Sequence, residues 1–296
     1  MSDPPSDFRF GFVGMAGAPN VGKSSLVNRL VGQKVSIVSR APQTTRHRLC
    51  GILTEPTFQA ALVDMPGILD ARDRFNAALV ECAASAVAGC DLILFIRSAD
   101  RAGSADEARV EEILRAARRP VWEVWNKIDA KSKQPPPPST SLAVERSFRL
   151  SARTGQGLDA LKSALARRLS PGPPLFPEDE VSDRHLRFIG AELVREKLFR
   201  HLDKEVPYRA ATWTEEWTER PDGRIYMRVV IQTDKASHKG IIIGAGGKML
   251  ARIGAEARAE IEELCGAPVF LELWVRVRLK WRQDPRELAR LELGAD

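Results

Sequence analysis

Long apolar runs are missing from this chain. No stretch reaches the ~18 residues that a membrane-spanning helix needs, and Met1–Phe10 has neither the basic start nor the apolar core of a signal peptide. Cysteine is scarce: Cys50, Cys82, Cys90 and Cys265 are scattered, with no CxxC pair. That argues against a zinc ribbon or a disulfide framework and fits a reducing cytoplasm. The four histidines show no HExxH spacing, which removes that class of metalloenzyme. A block of one charge is lacking too. Net charge is +6 and the pI about 9.3, yet residues 1–180 carry 24 basic and 20 acidic side chains and residues 181–296 carry 21 and 19. An anionic partner is compatible with this balance, but bulk charge does not locate it.

What is present fits a folded soluble protein. Hydrophobic residues are 44% and charged residues 28% of 296, enough for two domains of ordinary size. The first ~170 residues alternate short apolar runs with helical patterns, the signature of parallel strands joined by crossover helices. The runs are Phe10–Met15, Leu49–Leu53, Phe58–Val63, Asp91–Ile96, Val121–Trp125 and Phe148–Leu150; helices are expected at Ser24–Val31, Asp106–Ala117 and Leu158–Leu169. Gln134–Thr140 (QPPPPST) reads as an exposed loop, because proline lacks an N–H and fixes φ. Ser170–Pro177 (SPGPPLFP) reads as a boundary, giving domains at 1–172 and 183–296 with a linker at 173–182. Beyond it the expected order is helix, strand, strand, helix, helix, strand, the last strand running over Val269–Trp281.

Gly17-Ala18-Pro19-Asn20-Val21-Gly22-Lys23-Ser24 fits GxxxxGK[ST] between a strand and a helix, with Ser25 following. Amides of such a loop converge on phosphate oxygens at a helix N-terminus. Lys23 would reach the β- and γ-phosphates and Ser24 would ligate Mg²⁺. Asp64-Met65-Pro66-Gly67 ends an apolar run, where Asp64 can hold Mg²⁺ through water and Gly67 can offer its N–H to a γ-phosphate. Asn126-Lys127-Ile128-Asp129 ends another. Asp129 can accept two bonds from guanine's ring N–H and exocyclic amine, a pair that adenine does not present, while Asn126 supports the loop and the Lys127 stem lies across the ring. An ordinary glycine turn before a helix explains the first motif alone. It does not explain three motifs in this order, each at a strand's C-terminal end, the ligand edge of an open α/β sheet.

Gly244-Ala245-Gly246-Gly247 is a GxxG loop inside Lys239-Gly240-Ile241-Ile242-Ile243-Gly244-Ala245-Gly246-Gly247-Lys248. Alone it would pass for a helix–helix turn. Within the order helix, strand, strand, helix, GxxG, helix, strand it reads as a type II KH domain, which clamps single-stranded backbone beside an apolar groove to which Ile241–Ile243 would contribute. In Trp274–Arg282, Val275, Val277, Leu279 and Trp281 alternate with Arg276, Arg278, Lys280 and Arg282. A solvated charged face explains this as well as a basic strip for phosphates, of which Arg276 and Arg278 would be the RNA contacts. Trp213 and Trp217 read as packing residues rather than base-stacking ones.

The whole chain resembles the Era family of bacterial GTPases, a GTPase domain followed by a KH domain. The stretches that carry this are GAPNVGKSS, Gln43–Arg48 (QTTRHR), KGIIIG and LELWV. The resemblance implies a P-loop α/β G domain with a doubly wound, mostly parallel sheet and then a smaller α+β type II KH domain. It implies that Thr44 and Thr45 lie in the first switch with Thr45 as second Mg²⁺ ligand, and that Ser151-Ala152-Arg153 touches the guanine O6. Ile68 follows Gly67 where many GTPases have glutamine; in related enzymes with an apolar residue there, an asparagine at the place of Asn20 helps bind K⁺. Lys23, Thr45 and Asn20 would then be the catalytic set, and the polar segment Leu69 to Asn76 would be the mobile second switch. The chain departs from the family at Met65, usually Thr, in the short proline-rich segment after Asp129, where a helix is expected to be reduced or missing, and at Ala245 and Gly246, where basic residues are usual. The implied reaction is slow hydrolysis of GTP to GDP and phosphate. Switches released on hydrolysis would control binding to the 3′ end of 16S rRNA during 30S subunit assembly. The resemblance also implies a monomer, cytoplasmic, with peripheral inner-membrane contact that no feature of the sequence supports by itself. A non-catalytic RNA chaperone that merely binds GTP is the alternative; the intact Lys23, Ser24 and Asp64 oppose it. A tandem-domain ribosomal GTPase is excluded, since one P-loop and one NKxD are present.

Overall fold

A computed structural model describes residues 7–39, 41, 44–67, 74–100, 104–130 and 140–291. The expectations for Gln43, Ile68, most of the second switch (69–73) and prolines 135–138 fall outside these residues. The chain forms two compact units, one of Met1–Ser36 with Thr45–Asp183 and one of Ile37–Thr44 with Arg184–Asp296.

In the first unit the apolar runs become strands β1 (Arg9–Ala16), β2 (Leu49–Glu55), β3 (Phe58–Asp64), β4 (Leu92–Ser98), β5 (Val121–Asn126) and β6 (Arg146–Arg149). They lie in the order β2-β3-β1-β4-β5-β6, and the two-residue β7 (Ser170–Pro171) pairs antiparallel with β1. β3, β1, β4, β5 and β6 run parallel; β2 forms an antiparallel hairpin with β3. β3 and β4 are buried at every position, as expected of strands covered on both faces. Helices α1 (Lys23–Val31), α2 (Arg74–Ala88), α3 (Ala105–Ala117) and α4 (Leu158–Arg168) connect them. α1 buries Leu26, Val27 and Leu30 on one face and stops at Gly32, whose N–H returns to the Asn28 carbonyl. Among the described residues no helix lies between Asp129 and β6; residues 131–139 of that interval lie outside them.

α2 has no counterpart in the sequence reading, which carried a polar mobile segment up to Asn76. Its buried residues are Phe75, Leu79, Ala83, Ala86 and Val87, close to a four-residue repeat. Two of those five are alanine, which is the best helix former but a weak apolar signal. The period is present and the side chains that announce it are small.

The second unit keeps the expected element order. It comprises α5 (Leu186–His201), β8 (Ala211–Glu219), β9 (Ile225–Thr233), α6 (Ala236–Ile243), α7 (Lys248–Cys265), β10 (Val269–Val277) and a short α8 (Pro285–Arg290). The sheet order is β10-β9-β8, with β10 parallel and β8 antiparallel to β9. Val194 and Leu198 of α5, Met227, Val229 and Ile231 of β9 and Ile253, Ala257 and Ile261 of α7 form the core. Each of these side chains except Ala257 contributes roughly 1.5–3 kcal/mol on burial. Ile37 joins this core, and the Arg195 guanidinium donates to the Thr44 carbonyl at 2.5 Å.

The last strand is shorter than the alternation of Val269–Trp281 suggested. It ends at Val277, and Lys280 takes a left-handed φ of 55°. Trp281 then turns fully into the interior, its indole N–H donating to the Arg209 carbonyl, and Arg282 is buried against the Tyr208 carbonyl. A buried tryptophan four residues past the strand has more to gain from the core than from continued pairing, so a basic strip through residue 282 does not exist.

Candidate functional sites

Because β1, β3, β5 and β6 run parallel, the segments that follow them leave from the same edge of the sheet, and all three nucleotide motifs meet there. At Gly22, with φ 95°, a Cβ would come within 2.4 Å of Asn126 Nδ2. Only glycine lets the loop pass so close. Asn126 uses that proximity: its Nδ2 donates to the Val21 carbonyl (2.9 Å), while its Oδ1 accepts from the Lys127 and Ala152 N–H groups (2.8 and 3.0 Å). One buried amide thus joins the loops after β1, β5 and β6. Lys127, itself left-handed at φ 64°, donates to the Asn20 carbonyl at 2.7 Å. The Lys23 ammonium is 7% exposed and donates to the carbonyls of Gly17 and Ala18 at 2.9 and 3.0 Å, folded back over its own loop. Pro19 and Lys23 Nζ approach the position of a Cβ on Gly67, so the DxxG segment borders the loop.

Asp64 is fully buried at the end of β3. Its Oδ2 accepts from Ser24 Oγ (2.7 Å) and Ser36 Oγ (2.6 Å), and Ser24 Oγ also lies 3.0 Å from Thr45 Oγ1. Its Oδ1 is buried without a hydrogen-bond partner. Burial pushes the carboxyl above the ordinary aspartate range, against the pull of Ser36, Ser24 and Lys23. An unpaired buried oxygen beside two hydroxyls is costly and suits a hard cation with oxygen ligands, Mg²⁺ above all. Among the described residues no group of three His, Cys, Asp or Glu side chains could hold a metal, so any ion here relies on hydroxyls and on ligand oxygens.

Asp129 lies beyond β5. Its Oδ1 accepts from Ser151 Oγ at 2.5 Å, and its Oδ2 pairs with Arg153 at 2.6–2.7 Å. The Ser151 hydroxyl first, then Arg153, hold its carboxyl below the usual range. Ser151 is fully buried, whereas the Arg153 side chain is 77% exposed and can swing away. The structure therefore brings together Gly17 to Ser25, Thr45, Asp64 to Gly67, Asn126 to Asp129 and Ser151 to Arg153. It adds Ser36 and Asn28, which no motif contains. Asn28 Oδ1 accepts from the Val35 and Ser36 N–H groups and its Nδ2 donates to the Ser36 carbonyl. An asparagine within a helix and a serine in a loop give no signal by themselves.

In the second unit the GxxG loop joins α6 to α7. Gly244, Gly246 and Gly247 all have positive φ, and at Gly246 a Cβ would meet nothing within 4 Å. The loop is exposed at Ala245 and Gly246, and Lys239, half-buried, and Lys248, exposed, flank it. Beside it lies a groove of about 420 Å³ lined by Gly247, Leu250, Gly254 and Arg258 with Leu271 and Leu273 of β10. Ile241 to Ile243 are not among its lining residues; Ile242 faces the core and Ile241 is half-exposed. Arg276 is bonded to Gln232 Oε1 (2.9 Å) and stacks on Trp213, and Arg278 is within 3.4 Å of Asp284. Trp217 packs against the core. No helix among the described residues is long and apolar enough to cross a membrane.

Comparison with known proteins finds a matching family in each part of the chain. The 50S ribosome-binding GTPase family matches residues 12–127 and the KH domain family matches residues 205–282. GTPase Era of Geobacter metallireducens is 44% identical over 297 residues, covering 98% of this chain and 99% of its own. GTPase Era of a Bradyrhizobium species is 42% identical over 289 residues, covering 95% and 93%. Two solved structures each superpose with a TM-score of 0.88 at 32% identity over 97% of this chain and all of theirs. One is a variant of Aquifex aeolicus Era bound to GDP and aluminium fluoride; the other is Era with MgGDPNP and nucleotides 1506–1542 of 16S ribosomal RNA.

Proposed function

Since the chain belongs to the GTPase Era family, we propose that it hydrolyses GTP to GDP and phosphate as a switch that controls binding to the 3′ end of 16S rRNA during 30S subunit assembly. The observation that carries the reading is the convergence at one sheet edge of the P-loop, a buried Asp64 with an unpaired oxygen, and an Asp129 held ionised by Ser151 and Arg153. Amides of residues 17–25 hold the phosphates. Lys23 leaves the carbonyls of Gly17 and Ala18 to bind the β- and γ-phosphate oxygens. Ser24, Thr45 and Asp64 would hold Mg²⁺, which when bound would offset charge on the β- and γ-phosphates. Met65, Pro66 and Gly67 carry the chain past the γ-phosphate, and Ile68 follows them.

Asp129 accepts guanine's two N–H donors once Arg153 has moved aside. Ile128 and Lys127 complete the base loop, and Ser151 to Arg153 reach the O6 side. Asn20, exposed in the loop at a left-handed φ of 63°, would hold K⁺, a cation that would offset leaving-group charge. Faster turnover in K⁺ than in Na⁺ tests that role, and equal rates exclude it.

For RNA, Gly240, Ile241, Gly244, Ala245, Gly246 and Gly247 with Lys239 and Lys248 clamp the backbone. Arg276 and Arg278, already paired with neighbouring side chains, add long-range attraction rather than direct clamps. We place the domains at 1–172 and 183–296 with 173–182 between them, a segment fastened to the first unit through Gln59 and Ile52. The protein is a cytoplasmic monomer with a peripheral inner-membrane fraction, which light scattering and vesicle flotation test. The deciding experiment measures binding of a 16S 3′-end oligonucleotide in GDP and in a non-hydrolysable GTP analogue, alongside single-turnover GTP cleavage. Affinity that differs between nucleotides, with measurable cleavage, is expected. Nucleotide-independent affinity without cleavage would favour the GTP-liganded chaperone.

A further inference from the structure

Two residues outside every nucleotide motif close around the Asp64 carboxylate. Ser36 Oγ donates to Asp64 Oδ2 at 2.6 Å from a position only 5% exposed. Its own backbone is fixed on both sides by one asparagine: Asn28 Oδ1 accepts the Ser36 N–H at 2.9 Å and the Val35 N–H at 3.0 Å, while Asn28 Nδ2 donates to the Ser36 carbonyl at 2.7 Å. Asn28 stands four residues after Ser24 on α1, so the two share a helix face. One side chain of that face meets the carboxylate directly and the other meets it through Ser36.

We infer that Ser36, held by Asn28, is a positioning residue that sets the affinity of the phosphate site for its divalent cation, an inference that rests on the reading of Ser24, Thr45 and Asp64 as the magnesium-holding set. The two donors to Oδ2 differ. Ser24 has a single proton and two neighbouring oxygens, Asp64 Oδ2 at 2.7 Å and Thr45 Oγ1 at 3.0 Å, and in the reading above its oxygen also takes the cation. Ser36 has one acceptor and a clamped backbone, so it is the fixed anchor of Oδ2. With Oδ2 anchored, rotation of the carboxylate is blocked and the unpaired Oδ1 stays presented. Groups that orient a metal-holding side chain in this way commonly change metal affinity 10–100-fold when removed. The same clamp ties the cation to residues 35 and 36, directly ahead of the segment that contains Thr45.

The test uses the full-length protein loaded with a fluorescent GDP analogue, whose dissociation rate is followed against free Mg²⁺. For Ser36→Ala the half-saturating Mg²⁺ concentration should rise about tenfold, with affinity for the nucleotide in EDTA staying within about twofold of wild type. Asn28→Asp keeps the acceptor for both N–H groups, removes the donor to the Ser36 carbonyl, and should shift the Mg²⁺ dependence in the same direction by less. An unchanged Mg²⁺ dependence in both variants overturns the inference. So does an equal loss of affinity with and without Mg²⁺, which would mark general support of the loop. Wild-type dissociation that ignores Mg²⁺ would overturn the magnesium reading itself, a result distinct from either.

Discussion

Changing Asp129 to asparagine tests base selection with a magnitude the structure supplies. Guanine offers two N–H donors, and each hydrogen bond to a charged acceptor contributes about 1.5–3 kcal/mol net, so the pair contributes about 3–6. Before nucleotide arrives, the carboxylate already holds Ser151 and Arg153. The buried Ser151 bond stays, but the Arg153 bridge must open. With its side chain 77% exposed, that bridge is worth no more than about 1 kcal/mol. The remainder, about 2–5 kcal/mol, corresponds to a loss of GDP affinity between about 30- and 5,000-fold on Asp129→Asn. The asparagine turns one acceptor into a donor, which opposes the guanine amine but complements the carbonyl that xanthine carries at the same position. XDP affinity should therefore rise as GDP affinity falls. Competition against a fluorescent nucleotide, with GDP, XDP and ADP as competitors, measures all three. A variant that binds GDP within threefold of wild type, or gains nothing for XDP, would refute selection by this carboxylate. Arg153→Ala supplies the control: removing the displaced partner should leave GDP affinity equal or slightly higher.

Four further outcomes follow from the same geometry. Gly22→Ala puts a Cβ 2.4 Å from Asn126 Nδ2 at φ 95°; with about 1–2 kcal/mol of backbone strain and the Val21 bond disturbed, GDP affinity should fall at least about tenfold, as fluorescence titration would show. The Asp129 carboxyl is held low by Ser151 and then Arg153, so its stabilising contribution is complete above the unfolded value of about 3.9 and is lost as pH falls through the folded value. The Asp129-dependent part of GDP affinity, wild type against Asp129→Ala, should therefore stay flat from pH 8 to 5 by calorimetry. Gly246→Asp introduces a carboxylate where a Cβ meets nothing and at a φ aspartate tolerates, so binding of the 16S 3′-end oligonucleotide should drop at least about tenfold by charge repulsion with GDP binding unchanged in filter assays. Phe75→Ala removes a ring that is 1% exposed and lies under Arg46; a loss of about 3–5 kcal/mol should lower the melting temperature by roughly 10 °C.

The two sites were legible in the sequence to different depths, and the reason lies in how local each signal is. The P-loop, DxxG and NKxD needed only a strand in front of them, since parallel pairing carries their ends to one edge. Asp129 and Ser151 are 22 residues apart in sequence, yet the pairing of β5 with β6 sets them side by side, and only resemblance to a family pointed to the second of them. Ser36 and Asn28 gave no signal because their contribution exists only through backbone hydrogen bonds that close eight residues apart. The misjudged end of β10 has the opposite cause. WVRVRLKWR alternates as a strand should, but alternation states only which residues share a face while pairing lasts. It does not register that Trp281 is 0% exposed and fastened to Arg209, a contact across 72 residues that ends the strand. α2 shows the same limit from the other side, a helix in whose apolar stripe two of five residues are alanine. Where function depends on main-chain amides and short motifs the chain announces it; where it depends on what holds a carboxylate still, only the folded structure brings the residues together.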